Sequence, residues 1–302
     1  NDRLLLNDVW VGVKEADPDG LITDFPWVEE FTQAEPFPPA GWKNLDKDGD
    51  GRAFEYANPY FTNEVQAAVS WSWLPTTQQA LTPDNWLITP PLKIGANFWL
   101  EVAMQPLSDS WFAEKYAILV STTGTNYEDF TDVLFTETFP SNVLREHVLS
   151  LSAYEGKNIY IAFRHFETTD EVGLLIWDVA VYQTYSVNFT VQNQAGTPIT
   201  DAVVTLGEVQ GAAGNYSFTG LMPGTYAYSV AKTGFFTETG SVVVTNADKA
   251  VAVTLRIDDT SVNDPLTAGL RVYPNPASSV IYVEAAEEIS RIRLLDMTGR
   301  QV

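Results

Sequence analysis

Cysteine is absent from all 302 residues. Disulfide staples, thiolate nucleophiles and cysteine-ligated zinc are therefore excluded together. Histidine occurs only as His147 and His165. These two lie in separate strand-like runs, without the helical spacing that would pair them on a zinc ion. No Gly-x-Ser-x-Gly turn accompanies them, so a Ser-His-Asp hydrolase has no strained nucleophile turn to build on. Both histidines read as structural or surface residues. His147, in Glu146-His147-Val148-Leu149, is expected to face opposite the apolar positions. Basic residues are also scarce, 17 against 39 acidic ones, for a formal net charge of −22. Nucleic acid and anionic membrane surfaces both require Lys and Arg patches, so neither is an expected partner. No apolar run reaches the roughly 18 residues of a membrane span, and no membrane insertion is expected. Asn1-Asp2-Arg3 does not open a signal peptide, so the chain is expected to begin inside a longer polypeptide.

What the chain does have is apolar and aromatic side chains, 45% and 13% of its residues. That composition supports packed cores over disorder. Helical periodicity is nearly absent. Short β-branched and aromatic runs such as Tyr116–Ser121, Asn158–Phe163 and Leu174–Val181 alternate with Gly, Pro, Asn and Asp, the pattern of an all-β protein. Leu4–Val11 (LLLNDVWV) echoes Leu174–Val181 (LLIWDVAV), aligning Asp8 with Asp178. Such self-similarity marks tandem modules. Residues 1–13 are accordingly expected to be the last strand of a preceding copy, joined through 14–26 to a module spanning 27–183.

The run Asp46-Lys47-Asp48-Gly49-Asp50-Gly51 places carboxylates at alternate positions, with glycines that let the backbone curl. It opens like an EF-hand loop but does not close like one, because the twelfth position is Ala57 where a bidentate Glu is required. Two readings stay open on spacing alone: a calcium site completed by ligands from elsewhere, or a solvated acidic turn. Among the aromatics, Trp71-Ser72-Trp73 puts two indoles on one face of an extended segment, and Trp111 lies in a loop-like stretch. An indole face can stack on a sugar ring; the alternative is core or edge packing. Trp86 and Trp177, within apolar strand runs, read as core.

The stretches Pro38–Trp42 (PPAGW), Asp46–Gly51 (DKDGDG), Leu81–Pro90 (LTPDNWLITP), Glu114–Thr125 (EKYAILVSTTGT), Leu151–Gly156 (LSAYEG), Ile161–His165 (IAFRH) and Leu174–Val179 (LLIWDV) occur in one order. With them the first module resembles the cleaved-adhesin (hemagglutinin-type) domains attached to gingipain proteases. The resemblance implies a jelly-roll β-sandwich stapled by structural calcium. Its ligands would be Asp46, Asp48 and Asp50 with Asp178 from the final strand, and Glu30 from the first. Thr32 after Phe31, and Trp177 before Asp178, depart from the acidic residues common there.

Val187, Phe189 and Val191 alternate with polar residues, as do Tyr226, Tyr228 and Val230, with a Pro223-Gly224 turn between the two runs. A small Ig-like or transthyretin-like sandwich of about seven strands is expected over 184–257. Gly196–Ile199, Ala202–Val204 and Phe218–Tyr226 resemble carboxypeptidase-regulatory or B-type surface modules. Val187–Asn193 has no lysine, so no isopeptide cross-link is expected. A polar linker at 258–269 leads to Val272-Tyr273-Pro274-Asn275-Pro276-Ala277-Ser278 and Ile292–Val302. These resemble a type-nine secretion C-terminal sorting domain, partial at 270–302. That resemblance implies export by a Bacteroidetes-type bacterium, with the secretion machinery as a partner. The expected function is a non-catalytic adhesive segment that binds host or matrix protein or glycan. Alternatives are the accessory tail of a surface hydrolase and a carbohydrate-binding module.

Overall fold

The computed structural model describes residues 20–32, 36–57, 66–258, 271–273, 279–285, 289 and 291–294. The module strand expected at 1–13, most of the two linkers, and most of the sorting-domain motifs lie outside the described residues. Strands follow one another as β1 (Trp27–Glu29), β2 (Lys43–Asp46), β3 (Glu55–Tyr56), β4 (Ala68–Trp71), β5 (Trp73–Leu74), β6 (Gln79–Ala80), β7 (Asp84–Ile88), β8 (Leu92–Lys93), β9 (Phe98–Pro106), β10 (Lys115–Ser121), β11 (Asp132–Thr138), β12 (Arg145–Ser150), β13 (Asn158–Phe166) and β14 (Gly173–Gln183). One sheet runs β12-β9-β14-β4-β3, with β1 also on β14. The other runs β11-β10-β13-β7-β2, with β8 also on β13. The connections β9–β10, β11–β12 and β13–β14 each cross from one sheet to the other, which makes this half an antiparallel β-sandwich.

The core follows from period-two alternation. Phe98, Leu100, Val102 and Met104 on β9 face Tyr116, Ile118 and Val120 on β10, together with Phe163, Ile176 and Val179, in one buried cluster. Full burial of one such side chain stabilises by about 1.5–3 kcal/mol. The runs Tyr116–Ser121 and Asn158–Phe163 read as nearly continuous apolar stretches because their outer face is covered too. Trp86, Ala117, Leu119, Ala162 and Phe166 form a second buried cluster there with Phe130, and Tyr127 packs against it. In β14 the register against β9 shifts between Ile176 and Asp178. Trp177 is thus the extra residue of a bulge, which re-aims the side chains after it.

Further strands are β15 (Tyr185–Asn193), β16 (Val203–Leu206), β17 (Val209–Gln210), β18 (Ser217–Leu221), β19 (Gly224–Ala231), β20 (Glu238–Val244) and β21 (Lys249–Leu255). They form a three-stranded sheet, β18-β15-β21, and a four-stranded sheet, β17-β16-β19-β20. Val187, Phe189 and Val191 are buried as their alternation requires. Contacts group the described residues up to Asn188, with Ser217–Tyr226 and Val242–Val251, in one unit. Phe189–Tyr216, Ala227–Ser241 and the described residues from Ala252 onward form a second. In the latter, β22 (Arg271–Tyr273) pairs antiparallel with β23 (Tyr282–Glu284), and Tyr273 stacks on Tyr282 at 5.5 Å. No helix among the described residues is long and apolar enough to cross a membrane.

Candidate functional site

The acidic loop leaves β2 and is closed at its base by Asn44. The Asn44 Nδ2 donates to the Phe54 carbonyl at 2.7 Å, and the Phe54 N–H donates back to Oδ1 at 3.1 Å. Within this closure Gly49 and Gly51 take φ values of 76° and 82°, the left-handed region that glycine enters without penalty. Asp46, at the end of β2, accepts the Gly49 N–H on Oδ1 at 2.7 Å and the Gly51 N–H on Oδ2 at 2.8 Å. Asp50 accepts the Arg52 N–H at 2.7 Å. Asp48 reaches outward and accepts the Asp84 N–H at 2.9 Å. These bonds gather one carboxylate oxygen each from Asp46, Asp48 and Asp50 within 4.8 Å of one another. Partial burial pushes the Asp50 carboxyl up from its ordinary value; the Arg52 N–H pulls it down, and repulsion by Asp48 and Asp46 pushes it up again. An acidic, oxygen-only donor set of this kind fits a hard divalent cation such as calcium.

Asp84 anchors the loop to the sheet. Burial works against its charge, but the Arg164 guanidinium beside it, with Lys47 and the Trp86 indole N–H, holds its carboxyl below the ordinary carboxylate value. Arg164 binds it through Nε at 2.6 Å and Nη2 at 2.8 Å, and Lys47 Nζ approaches to 3.2 Å. Arg164 in turn lies over the rings of Trp86 and Phe166, 4.9 and 4.1 Å from their centroids. Two of the chain's few cations are thereby held beside the acidic loop while neutralising a carboxylate outside it. The spacing of the acidic run gave no sign of Asn44 or Asp84. The only local cue was the Pro83-Asp84-Asn85-Trp86 stretch at the start of β7.

The other two expected ligands come from other strands. Asp178 stands in the β14 bulge, in the sheet opposite to that of β2, and is not grouped with the three loop carboxylates. Its charge is felt by Glu101, whose carboxyl is raised by burial and then, against a Tyr182 hydrogen bond, by Asp178 and Glu146. The β1–β14 ladder ends at Glu29 opposite Val179, one residue short of Glu30, which is exposed. Asp178 follows the β14 bulge, and Glu30 follows β1, the strand that pairs with β14.

The tryptophans separate as sharply. Trp71 is 1% exposed, and its indole N–H donates to Glu55 at 2.6 Å. All four residues of β4 are buried, so alternation opens no outer face there and Trp71 offers nothing to a ligand. Trp73 is half-buried in the β5–β6 ribbon, opposite Ala80. Trp86 is core, as its context implied, and Trp177 is half-buried against the cluster that holds Trp71. Trp111 alone of these is largely exposed, at 59%.

Both histidines are buried. His147 points inward, with its neighbour Val148 outward, the reverse of the expected orientation. Its Nε2 lies 2.6 Å from the Tyr116 hydroxyl and its ring 4.2 Å from that of Phe135. His165 is bonded to Ser70 through Nδ1 and to Glu114 through Nε2, each at 2.8 Å. This resembles a hydrolytic triad in composition, but Ser70, His165 and Glu114 all have 0% exposure, so no substrate reaches them.

The profile of the Cleaved Adhesin Domain matches residues 26–181, and that of the Secretion system C-terminal sorting domain matches residues 271–302. Hemagglutinin A of Porphyromonas gingivalis is 31% identical over 219 residues, which cover 64% of this chain and 8% of that protein. Lys-gingipain of the same species is 33% identical over 160 residues, covering 47% of this chain and 9% of that protein. The chain therefore matches about a tenth of the length of these relatives. The crystal structure of the K1 cleaved adhesin domain of Lys-gingipain is 29% identical, with a TM-score of 0.46, and covers 53% of this chain and 99% of that one. Domains of this kind are non-catalytic adhesion segments of gingipains and hemagglutinins. The sorting domain and these relatives mark a secreted, cell-surface protein of the Bacteroidetes. With more than half its length matched by the profile, the chain belongs to the cleaved adhesin domain family.

Proposed function

We propose that this segment attaches its bacterium to host or matrix protein or glycan, with the loop around Trp111 as the contact. The carrying observation is an exposed tryptophan on a loop braced by hydrogen bonds. Ser108 Oγ accepts the backbone N–H groups of Ser110 and Trp111 at 3.2 and 3.1 Å. Asp109 accepts a hydrogen bond from Asn142 in the facing loop. Leaving an indole in water forfeits about 1.5–3 kcal/mol that burial would recover, and tryptophan is enriched at binding hot spots. In this reading, calcium held by Asp46, Asp48 and Asp50 fixes the sandwich edge through Asp48 and Asp84, and serves as a structural ion with no part in recognition.

The test is adhesion of the purified chain to host cells and immobilised matrix glycoproteins. Trp111→Ala is expected to abolish most of the binding at unchanged melting temperature, and Val133→Ala, also exposed, to leave it intact. Equal binding by both variants removes the reading. The presence of Lys-gingipain among the relatives favours a second reading, in which the chain is the accessory part of a surface protease and directs it to its substrate. Adhesion that persists when the chain is presented without any peptidase partner fits both readings. A gain in cleavage of the bound target when the chain is fused to a peptidase supports only the second.

A further inference from the structure

We infer that the Trp111 loop recognises a neutral pyranose; the inference rests on the adhesive reading above and names the ligand class. The backbone on both sides of the indole is hydrogen-bonded. Ser108 caps the backbone leading into it, and beyond it the Ala113 N–H donates to Glu171 at 3.2 Å, immediately before the fully buried Glu114. Asp109 is tied to Asn142, whose own Oδ1 accepts from Gln105 Nε2 at 3.3 Å. A platform held in this way loses little conformational freedom when a ligand docks.

The surroundings select the ligand. Asp109, Ser110 and Asn142 present a carboxylate, a hydroxyl and an amide along the two joined loops. These groups pair with sugar hydroxyls while the indole covers the C–H face of the ring. A protein partner needs roughly 800 Å² per side around an apolar centre. Here the exposed large apolar side chains are one indole and Val143, next in sequence to Asn142. Charge narrows the choice further. Asp109 lies two residues before Trp111 and the chain carries a formal −22, so sialylated and sulfated glycans are disfavoured.

The experiment places the full chain on an array of neutral hexose- and N-acetylhexosamine-terminated oligosaccharides beside their sialylated and sulfated counterparts. The expected result is binding to neutral members only, weakened about threefold to tenfold by Trp111→Ala and less by Trp111→Phe, the range of one aromatic contact. Asp109→Asn is expected to admit acidic members. Absence of binding to every neutral member, preference for acidic ones, or indifference to Trp111→Ala overturns the inference. A matrix glycoprotein stripped enzymatically of its glycans separates this claim from the broader one. Binding that survives stripping yet is still lost in Trp111→Ala overturns the sugar assignment and leaves adhesion through Trp111 standing.

Discussion

His165 Nε2 lies 2.8 Å from a carboxylate oxygen of Glu114, and neither side chain has any exposure. The pair does not stand alone. Glu114 also accepts the Ser72 hydroxyl at 2.8 Å and the Val172 N–H at 3.0 Å, and Asn85 Nδ2 donates to Ser70 at 3.0 Å behind the imidazole. Ser70 belongs to β4 of one sheet, and Asn85 and His165 to β7 and β13 of the other. The network therefore ties the two sheets through the core.

Breaking that tie from one side leaves a buried group without its partner. Glu114→Ala removes the acceptor of His165, of the Ser72 hydroxyl and of the Val172 N–H at once, and is expected to cost more in denaturant unfolding than the loss of any single donor. Ser72→Ala removes a single donor and is expected to cost about 1–3 kcal/mol. Equal small losses for both would show that Glu114 is not the centre of the network.

His147 gives the fold an acid sensitivity. Burial lowers its folded value below the ordinary 6.5, helped by Arg145 and opposed by Glu137. The unfolded chain therefore binds the proton more readily, and stability falls as pH drops from about 6.5 toward the folded value. His147→Gln, which can keep a bond to Tyr116 without titrating, is expected to flatten melting temperature against pH between 6.5 and 5. An unchanged slope would assign the acid sensitivity to other groups.

The Arg164–Asp84 pair responds to acid in the same direction, at lower pH. Because the Asp84 value is lowered in the fold, its contribution is present above the ordinary 3.8 and is lost as pH falls through the folded value. Arg164→Met is expected to cost about 1.5–3 kcal/mol at neutral pH, the range for hydrogen bonds to charged groups. It is also expected to weaken calcium retention, because Asp84 carries the N–H that holds Asp48. Calcium affinity equal to wild type would detach Asp84 from the loop.

The class of the fold was legible because it rests on local pattern. The inward residues Val187, Phe189 and Val191, and the run Tyr116–Ser121, show period two or full burial directly in their residue types. His147 was misplaced by the same rule, and Trp71 was left between two readings, since alternation says which residues share a face but not which face is covered. Trp71 takes the core reading because both faces of β4 are buried; His147 lies inside because a hydrogen bond to Tyr116 and a contact with Phe135 recover the imidazole there. Asp178 illustrates a different limit. It follows the extra residue Trp177, and a bulge leaves no mark in composition. Asp46, Asp48 and Asp50 were legible because their geometry is closed within six residues of one another, whereas the Ser70–His165–Glu114 tie depends on three distant segments.

Thermal melting with calcium and with chelator tests the loop most directly. Asp50 is raised by burial and by Asp48 and Asp46, so without a cation the loop loses stability as pH rises through the carboxylate range, and a bound cation relieves that repulsion. At about 1 mM calcium and a site roughly tenfold tighter, linkage supplies about 1.4 kcal/mol, an upward shift of about 3–6 °C for a domain of this size. The wild-type chain is expected to show that rise, and Asp46→Ala to melt at one temperature in calcium and chelator alike. A wild-type melting temperature that calcium leaves unchanged would contradict the assignment of the acidic loop to a structural cation.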